Sequence, residues 1–122
     1  MLNKKLIQEL REKGVKFTEE NLKFITKNID GMIIFLEKGS KTSGLEHIIE
    51  GKWNGRIDFQ NSFNEMVDNI YKAIKNEKYI KKTIDSSGRL SYVYKIQTTK
   101  GLREFKIAVG SNGYIVTLFL NW

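Results

Sequence analysis

Four apolar, β-branched segments fill the last third of the chain: Tyr79 to Ile84, Leu90 to Gln97, Leu102 to Val109 and Tyr114 to Leu120. Only Ser86-Ser87-Gly88, Thr99-Lys100-Gly101 and Gly110-Ser111-Asn112-Gly113 mark the breaks between them. Connections this short cannot carry a strand back parallel to its predecessor, so the segments must pair as a four-stranded antiparallel meander. A sheet of this kind needs a partner for its apolar face. Ser62 to Asn76 supplies one, with Phe63, Met66, Val67, Ile70, Ala73 and Ile74 at helical spacing. That stripe reads as core and not as a cofactor box.

The first half is organised differently. Leu6, Ile7 and Leu10 recur at helical spacing before Gly14, predicting a short amphipathic helix over 3–13. Leu22 to Thr26 and Met32 to Leu36 flank Asn28-Ile29-Asp30-Gly31 and read as a hairpin with an Asp-Gly turn, a helix from Thr18 being the competing reading of its first half. Gly39-Ser40-Lys41-Thr42 is a loop. Ser43 and Glu46 then form an S-x-x-E capping box that opens a helix ending at Gly51. Lys52 to Gln60 has no period and is a polar, glycine-containing connection. The expected architecture is α+β, one domain over 1–122, with N-terminal helices packed on the meander.

Charge narrows the partners. With 21 Lys+Arg against 14 Asp+Glu, a net charge of +7 and a pI near 9.6, the chain suits nucleic acid first, then an anionic membrane surface or an acidic protein. The absence of cysteine excludes disulfides, thiolate catalysis and cysteine-based zinc sites. Residues 1–11 are amphipathic and charged and lack the apolar run of a signal peptide; no later stretch approaches a membrane span, so a soluble domain is expected.

The only histidine, His47, is where acid–base chemistry is expected, because imidazole is the side chain that ordinarily trades protons near neutrality. Leu45, Ile48 and Ile49 share one face of its helix and His47 lies off that face, which favours partial exposure over a core histidine bonded to a carbonyl. RNA cleavage without metal uses the substrate's own 2′-hydroxyl as nucleophile, so the protein need supply only a base, an acid and cations for the phosphorane. Lys52, Arg56, Lys95, Arg103 and Lys106 are the cationic pool, and Tyr114 or Thr117 could donate a hydrogen bond. Strand alternation puts Arg103 with Phe105, Ile107 and Val109, and sets Tyr114, Val116 and Leu118 against Ile115, Thr117 and Phe119. Thr117 is then a lone hydroxyl in an apolar strand, a position that β-propensity alone also explains. Tyr92-Val93-Tyr94-Lys95 and Arg103-Glu104-Phe105-Lys106 interleave aromatics with cations, as base-stacking surfaces do and as half-buried strands also do. A metal-dependent nuclease would instead use Asp85 with the Glu104-x-Lys106 triplet. Glu46 and Glu50 do not share one face with His47, so a helix-borne metal site is not expected.

Ile34-Phe35-Leu36-Glu37-Lys38-Gly39, Ser43-Gly44-Leu45-Glu46-His47-Ile48-Ile49-Glu50, Asp58-Phe59 and Asn112-Gly113-Tyr114-Ile115-Val116-Thr117-Leu118-Phe119 together resemble the C-terminal toxin domains of bacterial polymorphic and contact-dependent growth inhibition systems. Those domains are similar to the ribonuclease superfamily of barnase, EndoU, certain colicins and RelE, the BECR fold. The resemblance runs from about residue 22 to 122. It implies a metal-independent endoribonuclease without a cofactor, often aimed at tRNA, carried at the end of a larger effector into a competitor's cytoplasm and neutralised by a cognate immunity protein. An acidic immunity protein would match the charge, and a host activating factor is a further partner such toxins can require. His47 would be the helix histidine and Thr117 the polar residue of the last strand. Many relatives carry a second histidine about where Gly51-Lys52 stands, which leaves Lys52 as an electrostatic substitute or His47 acting alone. A non-catalytic nucleic-acid-binding domain is the rival reading, since charge and aromatics suffice for it.

Overall fold

The computed structural model describes residues 2–40, 42–48, 63–98 and 101–120. Helix α1, Lys4–Glu12, is opened by Asn3, whose Oδ1 accepts from the Lys5 and Leu6 amides at 2.9 and 3.2 Å. It buries Ile7 and Leu10, and the chain leaves it through Gly14 at φ +76°. Thr18 does not start a helix: one 3₁₀ turn, Glu19–Asn21, leads directly into β1, Leu22–Lys27. Strand β1 pairs antiparallel with β2, Ile33–Glu37. Their turn is organised by Asn28, whose Oδ1 accepts from the Asp30 and Met32 amides, each at 3.0 Å, while Gly31 takes φ +81°.

Next come α2, Gly44–Ile48, and α3, Phe63–Asn76. The meander follows as β3, Lys81–Ile84, β4, Leu90–Thr98, β5, Gly101–Val109, and β6, Ile115–Leu120, in the spatial order β3-β4-β5-β6 with every neighbour antiparallel. The α+β class is as expected, and the hairpin adds a second, two-stranded sheet. The two sheets meet where the Phe35 amide donates to the Gly113 carbonyl at 2.9 Å and Phe35 forms a parallel bridge with Tyr114.

Hairpin alternation serves two cores. Phe24, Ile34 and Leu36 join Val67, Ile70, Ala73 and Ile74 of α3 and the inner face of the meander, Tyr92, Tyr94, Phe105, Ile107, Val109, Ile115 and Leu118. The opposite hairpin face, Leu22, Ile25, Ile33 and Phe35, packs against Ile7 and Leu10 of α1. Helix α3 therefore covers one side of the assembly, and the outer face of the meander carries Val93, Lys95, Glu104, Lys106, Ala108 and Thr117.

Two local expectations are corrected. The alternation expected along the last strand is interrupted: Ile115 pairs with Val109 and Thr117 with Ala108, so Val116 is a bulge residue. Ile115 and Leu118 thus both reach the core, while Thr117 turns to the outer face. The capping box does not form either. The Glu46 amide, which would donate to Ser43 Oγ, donates to the Lys38 carbonyl at 2.9 Å, and Ser43 Oγ lies 3.1 Å from the Tyr114 hydroxyl. The cause is the preceding loop, where Gly39 and Gly44 both take positive φ and fold the exit of β2 over the head of α2. Gly51, the expected helix end, lies outside the described residues.

Candidate functional site

Helix α2 packs against β6 and β2. Leu45 is buried among the core residues and His47, two positions on, is partly exposed, as the helical spacing predicts. Ser43 immediately precedes α2, the helix that carries His47. Tyr114 completes this corner. Its ring stands edge-on to Phe35 at 5.7 Å and its hydroxyl meets Ser43 Oγ, which fixes both the plane and the tip of the side chain. A Cβ on Gly44 would lie 2.7 Å from the Tyr114 oxygen, so the approach of helix to strand depends on glycine there. Tyr114, a site residue expected from the sequence, is thereby held at the head of the helix that carries His47. Ser43 is a member that the sequence marked only as a cap.

The outer face of the meander holds a trough of about 690 Å³. Lys81 and Thr83 of β3, Ser91 of β4, Glu104 and Lys106 of β5 and Phe119 of β6 line it. Lys106 stands opposite Val93 on one side and Phe119 on the other, with its Nζ 4.8 Å from the Phe119 ring centre, a cation–π contact that holds the ammonium above the strand. Thr117 lies on this face, opposite Ala108 and two residues before Phe119. It is only 7% exposed, and its Oγ1 has no hydrogen-bond partner among the described residues. Arg103 holds the register position opposite Ile96, in alternation with Glu104 and Lys106.

Other expected site residues fall elsewhere. Tyr94 is fully buried, stacked on Phe105 at 5.5 Å, so it is a core ring and cannot offer a face to a base. Burial also pushes its hydroxyl pKa upward. Lys95 is exposed at the end of the outer face, while Lys52 and Arg56 lie outside the described residues. The Asp85, Glu104 and Lys106 set does not assemble. Glu104 stands opposite Lys95, whereas Asp85 follows Ile84, which pairs with Leu90; from position 90 to 95 a strand advances about 16 Å. The Asp85 carboxylate is instead the organiser of its own turn. It accepts from Ser87 Oγ at 2.6 Å, the Ser87 amide at 2.9 Å and the Arg89 amide at 3.0 Å, and the Ser87 hydroxyl leads in holding its pKa below the ordinary 3.8. Glu46 pairs with Lys38 at 3.7 Å.

Lys81, Thr83 and Ser91 are trough residues that the sequence reading passed over. The signal for them was the register of β3 on β4, which a strand list without pairing does not contain. No protein-family model matches the chain, and no curated protein matches it. No helix among the described residues is long and apolar enough to cross a membrane.

Proposed function

We propose that this domain is a metal-independent endoribonuclease toxin domain. The reading rests on one arrangement: the Tyr114 hydroxyl meets Ser43 just before α2, the helix that carries His47, and this helix packs on the strand beside the one that carries Lys106. A proton-transfer group, an oriented hydroxyl and an ammonium are thus carried on elements that adjoin β6, and these are the kinds of group that transesterification of RNA requires. In that reaction the 2′-oxygen attacks the adjacent phosphorus as its proton passes to a base. The bond from phosphorus to the 5′-oxygen breaks, that oxygen takes a proton, and a 2′,3′-cyclic phosphate remains. His47 serves as base or acid, Lys106 stabilises the phosphorane charge, and Tyr114 and Thr117 donate to its oxygens; Arg103, which alternates to the other face of β5, is not part of this set. The substrate is RNA, tRNA being the class that the toxin resemblance implies. A larger effector delivers the domain into the target cell's cytoplasm, where an acidic immunity protein neutralises it in cells that make one.

A binding domain without catalysis is the second reading, favoured by the fact that His47 is not among the residues lining the trough. One experiment separates them. Purified domain is incubated with total bacterial RNA, with and without EDTA, and the products are run on a denaturing gel beside those of His47→Ala. Discrete tRNA-sized fragments that persist in EDTA are expected, with His47→Ala slowed about a hundredfold or more and RNA binding retained. Wild-type rates from His47→Ala would overturn the catalytic assignment, and intact RNA that is nonetheless bound would establish the second reading.

A further inference from the structure

The β3 side of the meander is open along half of β4. Strand β3 pairs with β4 only as far as Val93, so positions 94–98 have no described strand beside them on that side. Helix α3 runs next to this free stretch, and between the two lies a notch of about 280 Å³, small for a drug-sized ligand and of the order of a single base. Its helix wall is Asn69, Lys72, Ala73 and Asn76, spaced as one helical stripe, with Glu77 just past the helix end, and its strand wall is Lys95, Ile96 and Gln97. Lys72 is held by Asp68 at 2.9 Å. Lys95 is exposed and has no ion pair among the described residues. Lys95 also stands directly opposite Glu104, which lines the trough, so the notch and the trough adjoin at this cross-strand pair.

Resting on the ribonuclease reading above, we propose that the α3–β4 notch receives one base of the RNA whose backbone lies along the trough, and that this base is adenine. Each Asn amide offers a donor and an acceptor side by side, the complement of adenine N7 and its amino group. Ala73 and the partly buried Ile96 supply an apolar surface for the ring, and Lys95 sits where the chain would bend around the sheet edge and meets the phosphate there.

The test uses the whole domain. Amide shifts of the ¹⁵N-labelled protein are followed with 5′-AMP, GMP, CMP and UMP. Affinity for a short 2′-O-methyl RNA containing one adenine, which cannot attack its own phosphate, is measured by fluorescence anisotropy. Shifts at Asn69, Asn76 and Lys95, largest with AMP, are expected, together with an affinity about tenfold lower for Asn76→Ala. Lys95→Ala is expected to weaken all sequences alike; both positions are exposed, so the variants should fold. Shifts confined to the trough, or unchanged affinity in Asn76→Ala while the wild type binds RNA, would overturn the notch and leave the ribonuclease reading standing. No RNA binding by the wild type would overturn both.

Discussion

Three side-chain polar atoms are buried without a hydrogen-bond partner among the described residues: Tyr94 Oη, Thr117 Oγ1 and Asn28 Nδ2. A hydroxyl that has lost water and gained nothing costs free energy, so deleting it should not hurt. Tyr94→Phe keeps the ring on Phe105 and is expected to leave stability unchanged or raise it by up to about 1 kcal/mol, read from the urea midpoint. A loss of more than that would mean the hydroxyl is satisfied in solution. Thr117→Val is expected to behave the same way in urea but differently on RNA, slowing cleavage, because Thr117 faces the trough side and Tyr94 faces α3. The sequence could not separate these two residues. Its neighbours Tyr92 and Lys95 give Tyr94 the pattern of a base-stacking aromatic, yet an aromatic beside a cation looks alike on either face. Only the pairing with Phe105 decides which face it takes.

At the level of elements, two glycines with positive φ make opposite predictions. Gly14 takes φ +76° with nothing within 4 Å of an added Cβ, so Gly14→Ala should cost only the backbone penalty of about 1–2 kcal/mol. Gly113 takes φ +94°, and a Cβ there would collide with the Ile33 carbonyl oxygen. Gly113→Ala is therefore expected to cost well beyond the Gly14 variant in a urea titration and to detach β2 from β6; equal midpoints for the two variants would refute this. Most elements were legible because their signals are local: the apolar spacing of α3, the Asn28 to Gly31 turn, the short turns of the meander. The missing parts are non-local. The parallel bridge of Phe35 to Tyr114 joins segments far apart in the chain, the Val116 bulge answers to β5, and Ser43 gave up its cap because Lys38 reached Glu46 first. Of the expected site, Tyr114 reached the head of the helix that carries His47 through such contacts, whereas Tyr94 and Asp85 were claimed by the core and by a turn.

For the whole molecule, the +7 charge would make the proposed association with RNA an ion-exchange process. Affinity should fall linearly on a log–log plot against salt, and Lys106→Ala should make the slope shallower by about 0.7, the value of one phosphate on a single strand. An unchanged slope would place Lys106 away from the backbone. The junction of the two sheets has a different kind of consequence. The β1–β2 hairpin can close at once, but its bond from Phe35 to Gly113 must await the arrival of β6, across a loop that includes α2, α3 and three strands. Closing so long a loop is entropically costly, and it puts the decisive step of folding late. A ribosome would therefore release the chain as far as β6 before the corner around Tyr114 could exist, leaving whatever activity resides there silent while the chain is being made.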